Sequence, residues 1–152
     1  MRLLAIGKAG RNTPETELFL RYAARLRPLL ELTEFAPAQG APAEIKRRES
    51  ETFAAALSPQ DFVIALDQDG DAPDSPGLAR MLTTWLERTR KLAFIIGGAE
   101  GLDAAILARA NAKLSLGPLT WPHLLVRPML AEQLYRAQSI AAGHPYHRTG
   151  RP

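Results

Sequence analysis

Leu92–Ala93–Phe94–Ile95–Ile96 runs without a polar break into Gly97–Gly98–Ala99–Glu100–Gly101. An unbroken apolar run closed by glycines describes a strand covered on both faces, as in parallel sheets flanked by helices. Two more stretches repeat the pattern. Phe62–Val63–Ile64–Ala65–Leu66 ends at Asp67 and yields to a loop over residues 68–75 rich in Asp, Gly and Pro, and Met1–Arg2–Leu3–Leu4–Ala5–Ile6 ends at Gly7. Residues 29–35 add a strand, and a short one is predicted near 114–116.

Helical signals fill the gaps. Thr13, Pro14 and Glu15 supply a cap, a first-turn proline and an acid at the positive end, and Leu18, Tyr22 and Leu26 keep helical spacing until Pro28. Residues 43–57 form a second helix. Ser75–Pro76 opens a third, carrying Leu78, Leu82, Trp85 and Leu86. A short helix starts at Asp103, and a long one runs from about Pro122 to Ala142. Strands alternating with helices predict an α/β fold, a parallel sheet flanked by helices, with residues 1–152 as a single domain.

Composition narrows the chemistry. The chain has no cysteine, which excludes disulfides, iron–sulfur clusters and thiolate catalysis. Its three histidines and scattered acids show no zinc-ligand spacing, so no metal is expected. No apolar segment approaches the roughly 20 residues that span a bilayer, and the start of the chain has no signal-peptide pattern. The expectation is a cytoplasmic protein without a membrane partner. The net charge of +3 permits an anionic partner without demanding one. Basic residues recur at Lys8, Arg11, Arg21, Arg25 and Arg27 and in Lys46–Arg47–Arg48. They fit a solvated face as well as an RNA contact.

The glycine turn by itself is open to two readings, a plain strand-to-helix turn or a close backbone approach to a ligand. It lacks the spaced glycines of a dinucleotide fingerprint and the lysine of a phosphate loop, and Glu100 repels phosphate. The loops after three strands, over 67–75, 97–101 and 117–123, should converge in a crevice at one end of the sheet. Leu66, Gly98 and Pro118–Leu119–Thr120–Trp121–Pro122–His123 would form an apolar slot suited to an adenosine-like ligand. His123 alone is equally a helix-start residue.

Chemistry also gathers near the C-terminus, in Glu132–Gln133–Leu134–Tyr135–Arg136–Ala137 and Pro145–Tyr146–His147–Arg148. His147 can exchange a proton near neutral pH, Tyr146 can stack on a base, and Arg148 can meet a phosphate. Against this stands a basic tail without a role, and Glu132 with Arg136 is also an ordinary (i, i+4) ion pair. Taken together, these features suggest an RNA-modifying enzyme with a small cofactor on the glycine-rich side. A ribosome-binding protein without catalysis and a nucleotide-using α/β enzyme remain alternatives, although the second lacks both glycine fingerprints.

Taken in order along the chain, these blocks resemble the SPOUT methyltransferases with a deep trefoil knot, and most closely the RlmH (YbeA) family. The resemblance rests on Gly7–Lys8, Ile45–Lys46–Arg47, Leu66–Asp67 with Gly70, Ile96 to Gly101, Leu119 to His123, Arg127, Glu132 to Ala137 and Pro145 to Arg148. It implies S-adenosylmethionine as cofactor, contacted by Leu66, Gly98 and residues 118–123. It also implies a homodimer in which one subunit's tail completes a site holding the other's cofactor. The implied reaction is N3-methylation of a pseudouridine in helix 69 of the large-subunit ribosomal RNA, on the assembled 70S ribosome. A SPOUT enzyme acting on transfer RNA is the nearer alternative.

Within that resemblance, His147 becomes a base or water-positioner, Tyr146 an orienting residue, and Arg136 and Arg148 stabilise charge on the ring oxygens or hold phosphate. Lys8, Lys46 and Arg47 join Arg148 as RNA contacts, and Arg127 serves the RNA or the interface. Ala99 stands where many relatives have proline, and Trp121 where a smaller apolar residue is usual.

Overall fold

The computed structural model describes residues 1–10 and 12–147. Arg11, Arg148 and the Gly150–Arg151–Pro152 ending fall outside them. Five parallel strands form one sheet in the order β2-β1-β4-β3-β5. They are β1 (Arg2–Ile6), β2 (Glu31–Phe35), β3 (Phe62–Asp71), β4 (Leu92–Ile96) and β5 (Ala112–Leu114), with helices α1 (Pro14–Ala23), α2 (Pro42–Ala56), α3 (Ser75–Arg88), α4 (Ala104–Arg109) and α5 (His123–Ala141). The α/β expectation holds.

Both sheet faces are covered, which is why β4 is apolar at every position and buried throughout. On one face α1, α3 and α5 pack Phe19, Leu82, Trp85, Leu130 and Leu134 against Leu3, Ile64 and Phe94. On the other, α2 and α4 bring Phe53 and Ile106 onto Leu4, Val63, Ala65 and Ile95. Thr13 caps α1 by accepting from the Thr16 N–H at 3.3 Å, as its position before Pro14 predicts.

Three boundaries differ from the sequence reading. The first helix stops at Ala23 rather than running to Pro28, because Arg25 and Leu26 donate to Tyr22 and Ala23 three residues back and tighten the last turn. The short strand lies at Ala112–Leu114, not 114–116. The largest difference is β3, which continues through a stretch whose Asp–Gln–Asp–Gly–Asp composition reads as loop. Leu66 and Asp71 both register with Leu114, so residues 67–70 bulge out of the ladder between them. The bulge turns a strand end into the wall of a site.

Gly70 makes the bulge possible. A Cβ there would sit 2.7 Å from the Leu114 nitrogen and 2.7 Å from the Lys113 carbonyl carbon, closer than backbone tolerates.

A second lock joins α5 to the sheet. Arg127, 2% exposed, donates to the carbonyls of Ile6 (3.0 Å) and Gly7 (2.7 Å) and pairs with Glu34 of β2 at 2.5 Å. Glu34 also accepts from the Ala9 N–H at 2.8 Å, which fixes the loop leaving β1.

Gly70→Ala should therefore destabilise the fold by about 1–3 kcal/mol, the usual cost of forced overpacking, read by chemical denaturation. Arg127→Ala strands Glu34 and two carbonyls, and should cost about 3 kcal/mol in the same experiment.

Candidate active site

A cleft of about 360 Å³ opens at the C-terminal ends of β3, β4 and β5, within the usual range for small-molecule sites. Its walls come from the three loops that follow these strands. The β3 bulge contributes Asp67, Gln68 and Asp69; the glycine turn contributes Gly97, Gly98 and Gly101; and the segment between β5 and α5 contributes Ser115 to Gly117 and Leu119 to Trp121.

Each wall has a local physical cause. The glycine turn is a tight loop closed by the Gly101 N–H donating to the Gly98 carbonyl at 3.0 Å. A Cβ on Gly97 would lie 2.9 Å from the Gly101 carbonyl carbon, so only glycine lets the chain double back here. The third wall is laced to the first: Ser115 donates its N–H to the Asp71 carbonyl and Gln68 donates to the Pro118 carbonyl, both at 2.8 Å. The N–H groups of Leu119, Thr120 and Trp121 have no internal partner among the described residues. They are donors available to a bound molecule, beside the apolar surface of Leu66, Ile96, Leu114 and Val126.

Of the residues the sequence put at a cofactor slot, Leu66, Gly98, Leu119, Thr120, Trp121 and His123 line the cleft. Pro118 and Pro122 flank it: the Pro118 carbonyl holds Gln68, and Pro122 caps the start of α5. The imidazole of His123 stands over the end of β1, where a Cβ on Gly7 would meet its Nε2 at 2.8 Å.

The tail lies elsewhere. None of Arg136, Tyr146 and His147 lines the cleft of its own protomer. Arg136 and Tyr146 gather instead on the face made by α1 and α5. Tyr146 donates its hydroxyl to Glu132 Oε1 (2.9 Å), lies 3.2 Å from the Tyr22 hydroxyl, and packs edge-on to Tyr135 with ring centres 4.8 Å apart. Arg136 pairs with Glu132 and sits 5.0 Å over the Tyr146 ring. Burial, the hydrogen bonds to Tyr22 and Glu132, and the Glu132 charge raise the Tyr146 hydroxyl well above the ordinary tyrosine range. At neutral pH it is a donor and not a base. His147 Nδ1 is enclosed and has no partner among the described residues. Arg148 lies outside the described residues.

The basic candidates separate. Lys8 is exposed on the loop after β1. Lys46 is half-buried on α2, while Arg47 is exposed and pairs with Glu51 at 2.5 Å. Arg127 is a correction to the surface role: its guanidinium is buried inside the protomer and committed to Glu34 and two backbone carbonyls. The sequence reading brings the 67–75 loop to the crevice without singling out Gln68 or Asp69, and it does not reach Ser115 in the cleft or Tyr22 under the tail, which looks like an ordinary apolar position of α1.

Among the described residues no group of His, Asp and Glu is placed to hold a metal ion, and no helix is long and apolar enough to cross a membrane.

The family profile described as "Predicted SPOUT methyltransferase" matches residues 1–147. The ribosomal RNA large subunit methyltransferase H of Gluconacetobacter diazotrophicus is 57% identical over 152 residues, covering 100% of this chain and 99% of its own. The protein of that name from Acidiphilium cryptum is also 57% identical, covering 100% of this chain and 96% of its own. Among solved structures, a probable methylase family protein from Haemophilus influenzae Rd KW20 superposes with a TM-score of 0.59 at 14% identity, over 99% of this chain and 71% of that one, a likeness of fold alone. With full-length relatives this similar, the chain belongs to the SPOUT methyltransferases and, within them, to the ribosomal RNA large subunit methyltransferase H family.

Proposed function

We propose that the cleft holds S-adenosylmethionine and that the enzyme methylates N3 of a pseudouridine in helix 69 of the large-subunit ribosomal RNA, on the assembled ribosome. The observation that carries the reading is the separation of the two halves of the site. One protomer presents a cleft with ligand-sized volume on one side and a tail bearing Tyr146 and His147 on another. A second copy brings them together, with its tail completing this copy's cleft.

The cleft residues fit the cofactor. The unpartnered N–H groups of Leu119, Thr120 and Trp121 match the edge of an adenine, and the apolar side chains beside them match its faces. The carboxylates of Asp67 and Asp69 suit a cationic ligand. When bound, the cofactor supplies an activated methyl group on sulfur. The protein's work is alignment, charge stabilisation and proton removal.

N3 of the base must lose a proton as it gains the methyl group. His147 is the residue that takes this proton or orients the water that does. Tyr146, held neutral, donates a hydrogen bond and fixes the tail against α5. Arg136, oriented by Glu132, and Arg148 offset negative charge that develops on the ring oxygens. Lys8, Lys46 and Arg47 meet RNA phosphates around the site.

Two more features belong to this reading. A homodimer is supported by the apolar side chains beside the cleft: Leu119 is 65% exposed, and Trp121 and Leu125 are each 38% exposed, more apolar surface than a lone protomer needs at its active site. A trefoil knot through the loops that carry these cofactor positions follows from membership of the SPOUT methyltransferases.

His147→Ala should lower the single-turnover rate by about 10²-fold or more while leaving S-adenosylmethionine affinity unchanged; an unaltered rate removes His147 from the mechanism. Transfer of labelled methyl groups to assembled ribosomes should exceed transfer to free ribosomal RNA, with the label mapping to one nucleotide in helix 69. Labelling of transfer RNA instead would favour the other SPOUT reading.

A further inference from the structure

Glu49 on α2 is 3% exposed, yet its Oε2 has no hydrogen-bond partner. Its Oε1 accepts a single long bond, 3.2 Å, from the Ala38 N–H. No lysine, arginine or histidine among the described residues pairs with it: Arg47 and Arg48, its neighbours on the helix, turn to Glu51 and Glu44. A carboxylate buried with so little compensation is costly, and packing alone does not require one.

Its position gives it a use. A Cβ built on Gly98 would lie 2.9 Å from Glu49 Oε2 and 3.0 Å from Oε1, with the Ile6 side chain also at 3.0 Å. Gly98 in turn lines the cleft. Gly98 is therefore part of the cleft wall and in close contact with the carboxylate behind it. The surroundings on its own side are apolar (Ile6 and the α2 core), so the charge is weakly screened. Asp67 and Asp69 also face the cleft, but Asp69 is exposed and Asp67 half-buried, and water damps both.

We infer that Glu49 is a positioning residue whose charge, acting through Gly98, makes the cleft favour the cationic sulfonium donor over the neutral thioether that remains after transfer. The inference rests on the assignment of this cleft to S-adenosylmethionine. As the methyl group moves from sulfur to the base nitrogen and the nitrogen's proton leaves, the sulfur becomes neutral. The attraction that seated the donor is then lost, which promotes release of the spent cofactor. The requirement for glycine at position 98 follows as well, since any side chain there would push the carboxylate away.

Titration calorimetry on the full-length protein tests this with two ligands, S-adenosylmethionine and S-adenosylhomocysteine. Glu49→Gln keeps the shape and the acceptor for Ala38, and should lower the donor-to-product affinity ratio about tenfold, the order expected for one unit charge at short range in a partly screened interior. Glu49→Met removes the charge without burying a polar atom, reads the same ratio, and serves if the glutamine variant does not fold. Glu49→Asp should keep most of the preference. Equal weakening of both ligands in the neutral variants means that Glu49 only braces the Ala38 loop, and overturns the inference. Failure of S-adenosylmethionine to bind the wild-type protein overturns the cleft assignment, and this inference with it.

Discussion

The Arg127 guanidinium is the contact on which the site's geometry depends. It leaves α5, passes through the core boundary, and clamps the Ile6 and Gly7 carbonyls at the end of β1 while pairing with Glu34 at the end of β2. One turn earlier on the same helix, His123 rests over Gly7. The helix start is thereby fixed against the sheet edge, and the segment before it, residues 115–122, is delivered to the cleft. A positive charge this deeply buried is tolerated because a carboxylate and two carbonyls surround it.

The cleft itself is a set of close approaches. At Gly70 a strand crosses the backbone of another, and at Gly97 the chain folds on itself. At Gly98 a buried carboxylate comes up against the wall. In each case the missing side chain is what lets the backbone form the surface. Donors from the backbone and carboxylates from β3 then make a surface suited to a cationic ligand with an aromatic ring. The tail is organised by different forces: aromatic packing of Tyr135 on Tyr146, a cation over a ring, and a carboxylate shared between Arg136 and Tyr146. Under the proposed function, a donor in the cleft and His147 on the tail would meet only on association of two copies, which would confine transfer to the assembled enzyme.

Much of this was legible in the chain. The strands at β1, β3 and β4 announce themselves as apolar runs because both faces of a parallel sheet are buried, and the three loops after β3, β4 and β5 were placed correctly at one crevice. The extension of β3 is not legible, since Asp67 to Asp71 has a loop's composition and only Asp71 rejoins the ladder, against the same Leu114 that pairs with Leu66. Tyr22 and Tyr146 lie 124 residues apart, and nothing local links them. Glu49 sits among other charged residues of α2 with no mark to separate it from the solvated ones.

Local pattern therefore determined the class of fold, the order of its elements, the absence of thiol chemistry and the short blocks in which the reactive side chains lie. Those features depend on residue type and on spacing within one helix or strand. The third dimension decided which side chains are buried with their charges, which glycines have no room for a Cβ, and that Arg127 faces inward while Arg47 faces water. Each of these is a contact between segments distant in the chain, and its energy exists only once the sheet has brought them within a few ångströms.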